Sequence, residues 1–334
     1  MSFTPLSASA TFVFSAAVII VAAIFLAFSA DKISNHSRLG RLWVGSILLA
    51  GTTSLPELVT TITAVRIDAP SLSWGNILGA NMLNMATLSV MLAIFLKINT
   101  STICQREQLV VGSLVIGLTI IAVGSSYFDV GTKVSIISPA GASIIALFLL
   151  YTTLTQRTKQ PDDLTLIKIP RSDSYSSWQI WLWFTCSAFG ILIAAPFLAS
   201  SAQSISDYSG LSESFIGVLG LAIVTTLPEL TTTATALRIK AYDLGISNML
   251  GTNAINIVIL AIADGFYSNG SLFSRIDNSH VVTGLISVLL TVLMMLSLHQ
   301  TQHGKKSMIH INAVISPTLY GATVALIYLT DAAF

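Results

Sequence analysis

The chain has 334 residues, of which 53% are apolar and only 9% charged, and its mean hydropathy is +0.80. Soluble domains carry about 25% charged residues, so this composition excludes a water-soluble enzyme and indicates a polytopic membrane protein. The net charge of +1 comes from basic residues scattered over short loops, which excludes a nucleic-acid-binding surface, and the two cysteines, Cys104 and Cys186, have no metal-binding spacing.

A bilayer-spanning helix needs about 20 mostly apolar residues. By that measure helices are expected at 9–30, 42–66, 73–97, 108–128 and 134–155. No Lys or Arg precedes the first apolar run, so it reads as an uncleaved helix rather than a secretory signal. A polar stretch, 156–177, follows as a linker, and five more helices are expected at 178–203, 211–239, 244–265, 279–299 and 308–330. Basic residues gather on cytoplasmic loops. With the first residue outside, all 16 lysines and arginines except Arg66, Lys133 and Arg275 fall on inner loops. Both termini are therefore expected on the extracytoplasmic side of the cell (inner) membrane, with the linker in the cytoplasm.

Five helices in each half, 1–155 and 178–334, make the second half start on the opposite side of the membrane from the first. The fold class expected is thus all-α: ten transmembrane helices in two inverted five-helix repeats, with broken helices meeting at the midplane. That is a common design of secondary transporters. The residues carry the repeat as well. Pro56 and Pro228 stand 172 positions apart, and the same offset joins Glu57 to Glu229, Arg66 to Arg238, Asn76 to Asn248, Gly79 to Gly251, Asn81 to Asn253 and Asn84 to Asn256. The two signature regions are 51–88 and 223–260.

Each region contains a glutamate deep in an apolar helix, where an acid costs several kcal/mol unless compensated and marks a functional site. No Lys or Arg is placed at that depth to pair with it. A bound cation is the compensation that remains. The adjacent proline removes a backbone donor and frees carbonyl oxygens, which are tolerated at membrane depth only where they line a cavity or bind something. Thr53, Ser54, Thr225 and Thr226 add hydroxyls just before the bend. In the neighbouring helices, glycines permit close approach, and Asn81 and Asn84, like Asn253 and Asn256, share a face at i,i+3 spacing. Three asparagines per copy exceed what ordinary interhelical contacts require. Carboxylate, amide, hydroxyl and carbonyl oxygens without imidazole or thiolate describe a site for Ca²⁺, Na⁺ or Mg²⁺. The remaining acids, among them Asp68, Asp207, Glu213, Asp243, Asp264 and Asp277, fall near helix ends and read as interface residues. An intramembrane enzyme is disfavoured: no His-Glu-x-x-His occurs, and His36, His280, His299, His303 and His310 lie in loops or at helix ends.

Thr53-Ser54-Leu55-Pro56-Glu57 and Gly75-Asn76-x-x-Gly79-x-Asn81-x-x-Asn84, with their second copies, resemble the paired repeats of the cation/calcium exchanger superfamily, most closely its prokaryotic sodium/calcium exchanger branch. The resemblance covers essentially the whole chain. It implies an antiporter that exchanges one Ca²⁺ for about three Na⁺ by alternating access, the first and sixth helices sliding over an eight-helix core. Coupling to H⁺, or transport of another divalent ion, is the alternative on the same scaffold. It implies central acids at Glu57 and Glu229, hydroxyl and carbonyl ligands at Thr53, Ser54, Thr225 and Thr226, and amide ligands at Asn84 and Asn256. The family serine of the second motif falls on Ala80 in one half and on Thr252 in the other, so Ala80 offers only a backbone carbonyl. Thr52 and Val224 stand where the family has glycine, and Asn256 where some relatives have aspartate. No organic cofactor and no protein partner are implied; the partners are inorganic cations and the lipid bilayer, and a monomer is expected.

Overall fold

A computed structural model describes residues 4–36, 53–95, 106–125, 136–158, 176–240, 242–302 and 307–331, and these segments are helical with short connections and no strand among them. In chain order the helices are α1 (Pro5–His36), α2 (Leu55–Arg66), α3 (Pro70–Phe95), α4 (Arg106–Gly124), α5 (Pro139–Thr158) and α6 (Ser177–Ser209). They continue as α7 (Glu213–Arg238), α8 (Tyr242–Phe266), α9 (Asn278–Gln302) and α10 (Ser307–Asp331). Seven of them, α1, α3 and α6 to α10, are long and apolar enough to cross a bilayer, and α4 and α5 are shorter apolar helices. The expected first part of α2, 42–52, and most of the linker 156–177 lie outside the described residues.

The side chains are sorted as a bilayer demands. Large apolar residues such as Phe14, Ile94, Leu149, Phe189, Val314 and Leu329 point outward, while Thr53, Glu57, Asn76, Asn81, Glu229 and Asn253 are buried. A hydrocarbon surrounding cannot hydrogen-bond polar groups, so they collect in the interior. The protein is a multi-pass membrane protein.

Inversion is visible at the turns. The connections α2–α3 and α7–α8 each hold one non-glycine residue in the left-handed region, Asp68 at φ 60° and Lys240 at φ 65°. Each helix ends in the same way just before it, with Ile67 N–H donating to Thr63 O and Ile239 N–H to Thr235 O. Packing is crossed between the halves. α3 rests on α9 and α10, whereas α8 rests on α4 and α5. Two apolar clusters result: Trp74, Leu118, Ile144 and Leu260 on one side, and Met85, Leu250, Leu290 and Ile309 on the other. α1 pairs mainly with α6, beside this core.

The two proline motifs depart from regular helix in different ways. In the first, Ser54 stands at φ −80°, ψ 8° as the N-cap of α2, with Pro56 in the opening turn where a missing N–H costs nothing. In the second, Pro228 lies inside a continuous α-helical run, Ala222–Arg238, and the irregularity is a π-helical turn upstream at Ile216–Leu221. That turn packs backbone to backbone against α3. A Cβ added to Gly75 would meet Ser214 O at 2.8 Å, one on Gly79 would meet Val218 Cα at 2.6 Å, and one on Gly217 would meet Gly75 Cα at 2.9 Å.

Candidate cation site

Glu57 and Glu229 are both fully buried, on α2 and α7. They are near enough to feel each other's charge, and neither carboxylate oxygen of either residue has a hydrogen-bond partner. Each is approached by a hydroxyl from the opposite repeat: Thr225 lies beside Glu57 and Thr53 beside Glu229. The four helices α2, α3, α7 and α8 together carry ten buried oxygens without a donor. They belong to Ser54, Glu57 (two), Thr60, Asn84, Glu229 (two), Asn248, Thr252 and Asn256. A buried polar atom left unpaired costs about 1–3 kcal/mol, more if charged. The carboxylate and amide oxygens among them can only accept, and buried acceptors of this kind call for a positive charge.

The asparagines decide which oxygens face inward. Asn81 Nδ2 donates to Asn253 O at 3.1 Å and Asn253 Nδ2 donates back to Asn81 O at 3.2 Å. Asn84 Nδ2 donates to Asn253 Oδ1, and Asn256 Nδ2 to Asn81 Oδ1, both at 2.9 Å. Every amide hydrogen-bond donor named here points into this ring, so the amides of Asn84 and Asn256 cannot flip without losing a bond. Their carbonyl oxygens are left as bare acceptors. The three asparagines of each copy divide the work. Asn81 and Asn253 are spent on joining α3 to α8, while Asn76 and Asn248 donate to Thr61 Oγ1 at 3.2 Å and Thr233 Oγ1 at 3.3 Å.

The hydroxyls differ in the same exact sense of who holds the proton. Thr226 donates to Ala222 O at 2.6 Å, the ordinary back-bond of a helical threonine, and Thr225 donates to Asn76 Oδ1 at 3.1 Å. Ser54 Oγ and Thr252 Oγ1 have no partner. Ala80, fully buried, brings no side-chain oxygen. Among the described residues no three His, Cys, Asp or Glu side chains converge. The donor set thus suits a hard cation held by carboxylate, amide and hydroxyl oxygens.

Two residues at helix ends, Asp264, expected at the interface, and His280, are buried and structural. Asp264 is fully buried and accepts from Ser138 N at 2.7 Å, Leu272 N at 2.7 Å and Ser271 Oγ at 2.8 Å. It binds the start of α5 to the end of α8. Ser138 lies 126 positions away, and no local periodicity announces such a partner. His280, at the first turn of α9, is also fully buried, with Nε2 3.1 Å from Ser71 O and 3.2 Å from Ser214 Oγ. It ties α9 to the starts of α3 and α7. Glu213, Asp277 and Ser71 line a cavity of about 540 Å³ at this same end of the bundle, in keeping with an interfacial position.

An inverted all-helical bundle with a central cage of acceptor oxygens defines a membrane cation transporter. The sequence profile of the sodium/calcium exchanger protein family matches residues 7–155 and 179–329. The chain belongs to that family, within the cation/calcium exchanger superfamily. It is 25% identical to inner membrane protein YrbG of Escherichia coli (strain K12) over 260 residues, 76% of this chain and 78% of the relative. Among solved structures, its fold is similar to that of an H⁺/Ca²⁺ exchanger CAX, with a TM-score of 0.65, 12% identity, and 97% of this chain and 91% of that chain covered. It is likewise similar to the sodium-calcium exchanger NCX_Mj, with a TM-score of 0.60, 19% identity, and 96% and 99% coverage. Both likenesses support the ten-helix inverted-repeat fold.

Proposed function

We propose that the protein is a secondary antiporter that exchanges Ca²⁺ for Na⁺ by alternating access. The observation that carries this reading is the pair of buried glutamates without hydrogen-bond partners, with the bare oxygens of Ser54, Asn84, Thr252 and Asn256 on the same four helices. Glu57 and Glu229 are the central ligands, since two carboxylates balance one divalent ion or two monovalent ones. Asn84 and Asn256 add locked amide oxygens, and Thr53, Ser54, Thr225 and Thr226 add hydroxyl or carbonyl oxygens. Thr252 adds a hydroxyl that Ala80 lacks, so the monovalent sites of the two halves are unequal. The functional units are the repeats 1–155 and 178–334, joined by a cytoplasmic linker, 156–177, in a monomer with both termini outside the cell membrane. Under this orientation the end bearing Arg66, Glu213 and Asp277 faces out.

Coupling to H⁺ is the second reading, favoured by the likeness to an H⁺/Ca²⁺ exchanger. Calcium uptake into proteoliposomes, with sodium and pH gradients imposed separately, distinguishes them. Uptake driven by a sodium gradient at clamped pH is expected. Uptake that needs only a pH gradient would overturn sodium coupling, and no uptake under either would overturn calcium exchange.

A further inference from the structure

Asn76 and Asn248 stand outside the ligand set, yet each is buried and its amide is oriented. Asn76 Nδ2 donates to Thr61 Oγ1 at 3.2 Å, which turns Oδ1 toward α7, where it accepts the Thr225 hydroxyl at 3.1 Å. Thr225 lies beside Glu57. A hydroxyl has one proton and two lone pairs. It can offer a lone pair to a cation only when its proton is directed elsewhere, and Asn76 Oδ1 is where this proton goes. The bond also crosses between repeats, since Asn76 is on α3 and Thr225 on α7.

The inversion image is built but not engaged. Asn248 Nδ2 donates to Thr233 Oγ1 at 3.3 Å, the counterpart of the Asn76–Thr61 bond. Asn248 Oδ1, however, is buried without a donor, and Thr53, the mate of Thr225, lies against Glu229. One sequence pattern thus shows two settings: a threonine proton held by asparagine, and a threonine beside its glutamate with the asparagine oxygen left over.

We propose that Asn76 and Asn248 are positioning residues that accept the hydroxyl protons of Thr225 and Thr53 when a cation binds, turning those oxygens' lone pairs onto the ion. They act through the threonines and do not touch the cation. When the ion leaves, the threonine proton returns to the bare glutamate beside it, which eases the cost of an unpaired buried carboxylate. This inference rests on the cation-exchange reading above.

A double-mutant cycle tests it. Half-saturating Ca²⁺ and maximal uptake are measured in proteoliposomes for Asn76→Ala, Thr225→Ala and the double variant. Asn76→Ala is expected to raise half-saturation roughly five- to tenfold, the size of one neutral hydrogen bond, with a smaller change in maximal rate. The double variant is expected to be no worse than Thr225→Ala alone, whereas in a Thr225→Ser background, which keeps the hydroxyl, Asn76→Ala still weakens binding. Additive losses would mean that Asn76 only supports the fold, and would overturn the proposal. Should Asn76→Ala not yield folded protein, the equivalent cycle of Asn248→Ala and Thr53→Ala decides by the same criterion. Wild-type vesicles that move no Ca²⁺ overturn the exchange reading together with this one; Ca²⁺ flux with additive losses overturns this one alone.

Discussion

The two repeats carry the same signatures, and their differences show which parts of a signature are fixed by geometry and which can turn. The glutamates, the Asn84/Asn256 amides and the reciprocal Asn81–Asn253 bonds obey the inversion closely. The hydroxyls do not. Thr232 donates to Pro228 O at 2.8 Å, while its mate Thr60 has no partner. Thr225 donates to Asn76 Oδ1 at 3.1 Å, while Asn248 Oδ1 has no donor. Amides locked in a ring of bonds keep the symmetry, whereas a hydroxyl proton, free to rotate about one bond, relaxes it.

Substitutions in the two repeats test how far their equivalence extends. Glu57→Gln and Glu229→Gln are each expected to lower Ca²⁺ uptake by ~100-fold or more, since a divalent ion loses half its balancing charge at a buried site. Expression should persist, because an amide is easier to bury than a carboxylate. Wild-type flux in either variant would remove that residue from the site. Next in size, Gly79→Ala should destabilise the protein by about 1–3 kcal/mol through overpacking against Val218. Thermal unfolding in detergent reads the loss, and an unchanged midpoint would contradict the close approach of the two backbones. Ala80→Ser, which restores a hydroxyl in the first half, should shift the sodium dependence of uptake by roughly threefold, less than one full hydrogen bond, and leave calcium half-saturation nearly unchanged. An unaltered sodium curve would show that this side chain does not reach an ion. Smallest are the cation–π contacts that close both ends of the core. Arg66 Cζ lies 5.1 Å from the Phe266 ring and Arg238 Cζ 5.8 Å from the Phe95 ring. Arg66→Ala and Arg238→Ala should each cost about 0.5–1 kcal/mol, and a large difference between them would show that the two ends are not equivalent.

The candidate site stands out in the sequence because its residues are anomalies. A glutamate in an apolar helix, repeated at a constant offset with its asparagines, needs no coordinates to be noticed. Helix number followed from length and hydropathy, and the glycine seam at Gly75 and Gly79 from the spacing. What escaped depends on partners distant in sequence. Asp264 looks like any acid at a helix end until Ser138 and Leu272 are seen donating to it. His280 looks like any histidine at a helix end until Ser71 and Ser214 close around it. The π-helical turn at Ile216–Leu221 leaves no mark either, because its residues, Ile-Gly-Val-Leu-Gly-Leu, suit an α-helix as well. Division of labour among the asparagines was hidden for a simpler reason: identical amides can be ligand or brace, and only geometry separates them.

The crossed packing of α3 on α9 and α10, and of α8 on α4 and α5, has a consequence for how such a chain could arise. The central helix of each half packs on the last two helices of the other as well as on its own neighbour, and Asn81 and Asn253 exchange two-fold-related bonds across the seam. That is the reciprocity of a two-fold isologous interface, in which residue i meets j and j meets i. An ancestral five-helix unit would thus have been an obligate homodimer, its two copies inserted in opposite orientations, before one gene came to encode both. The same reasoning extends to the present chain: severed at the linker, its halves should assemble only when made together.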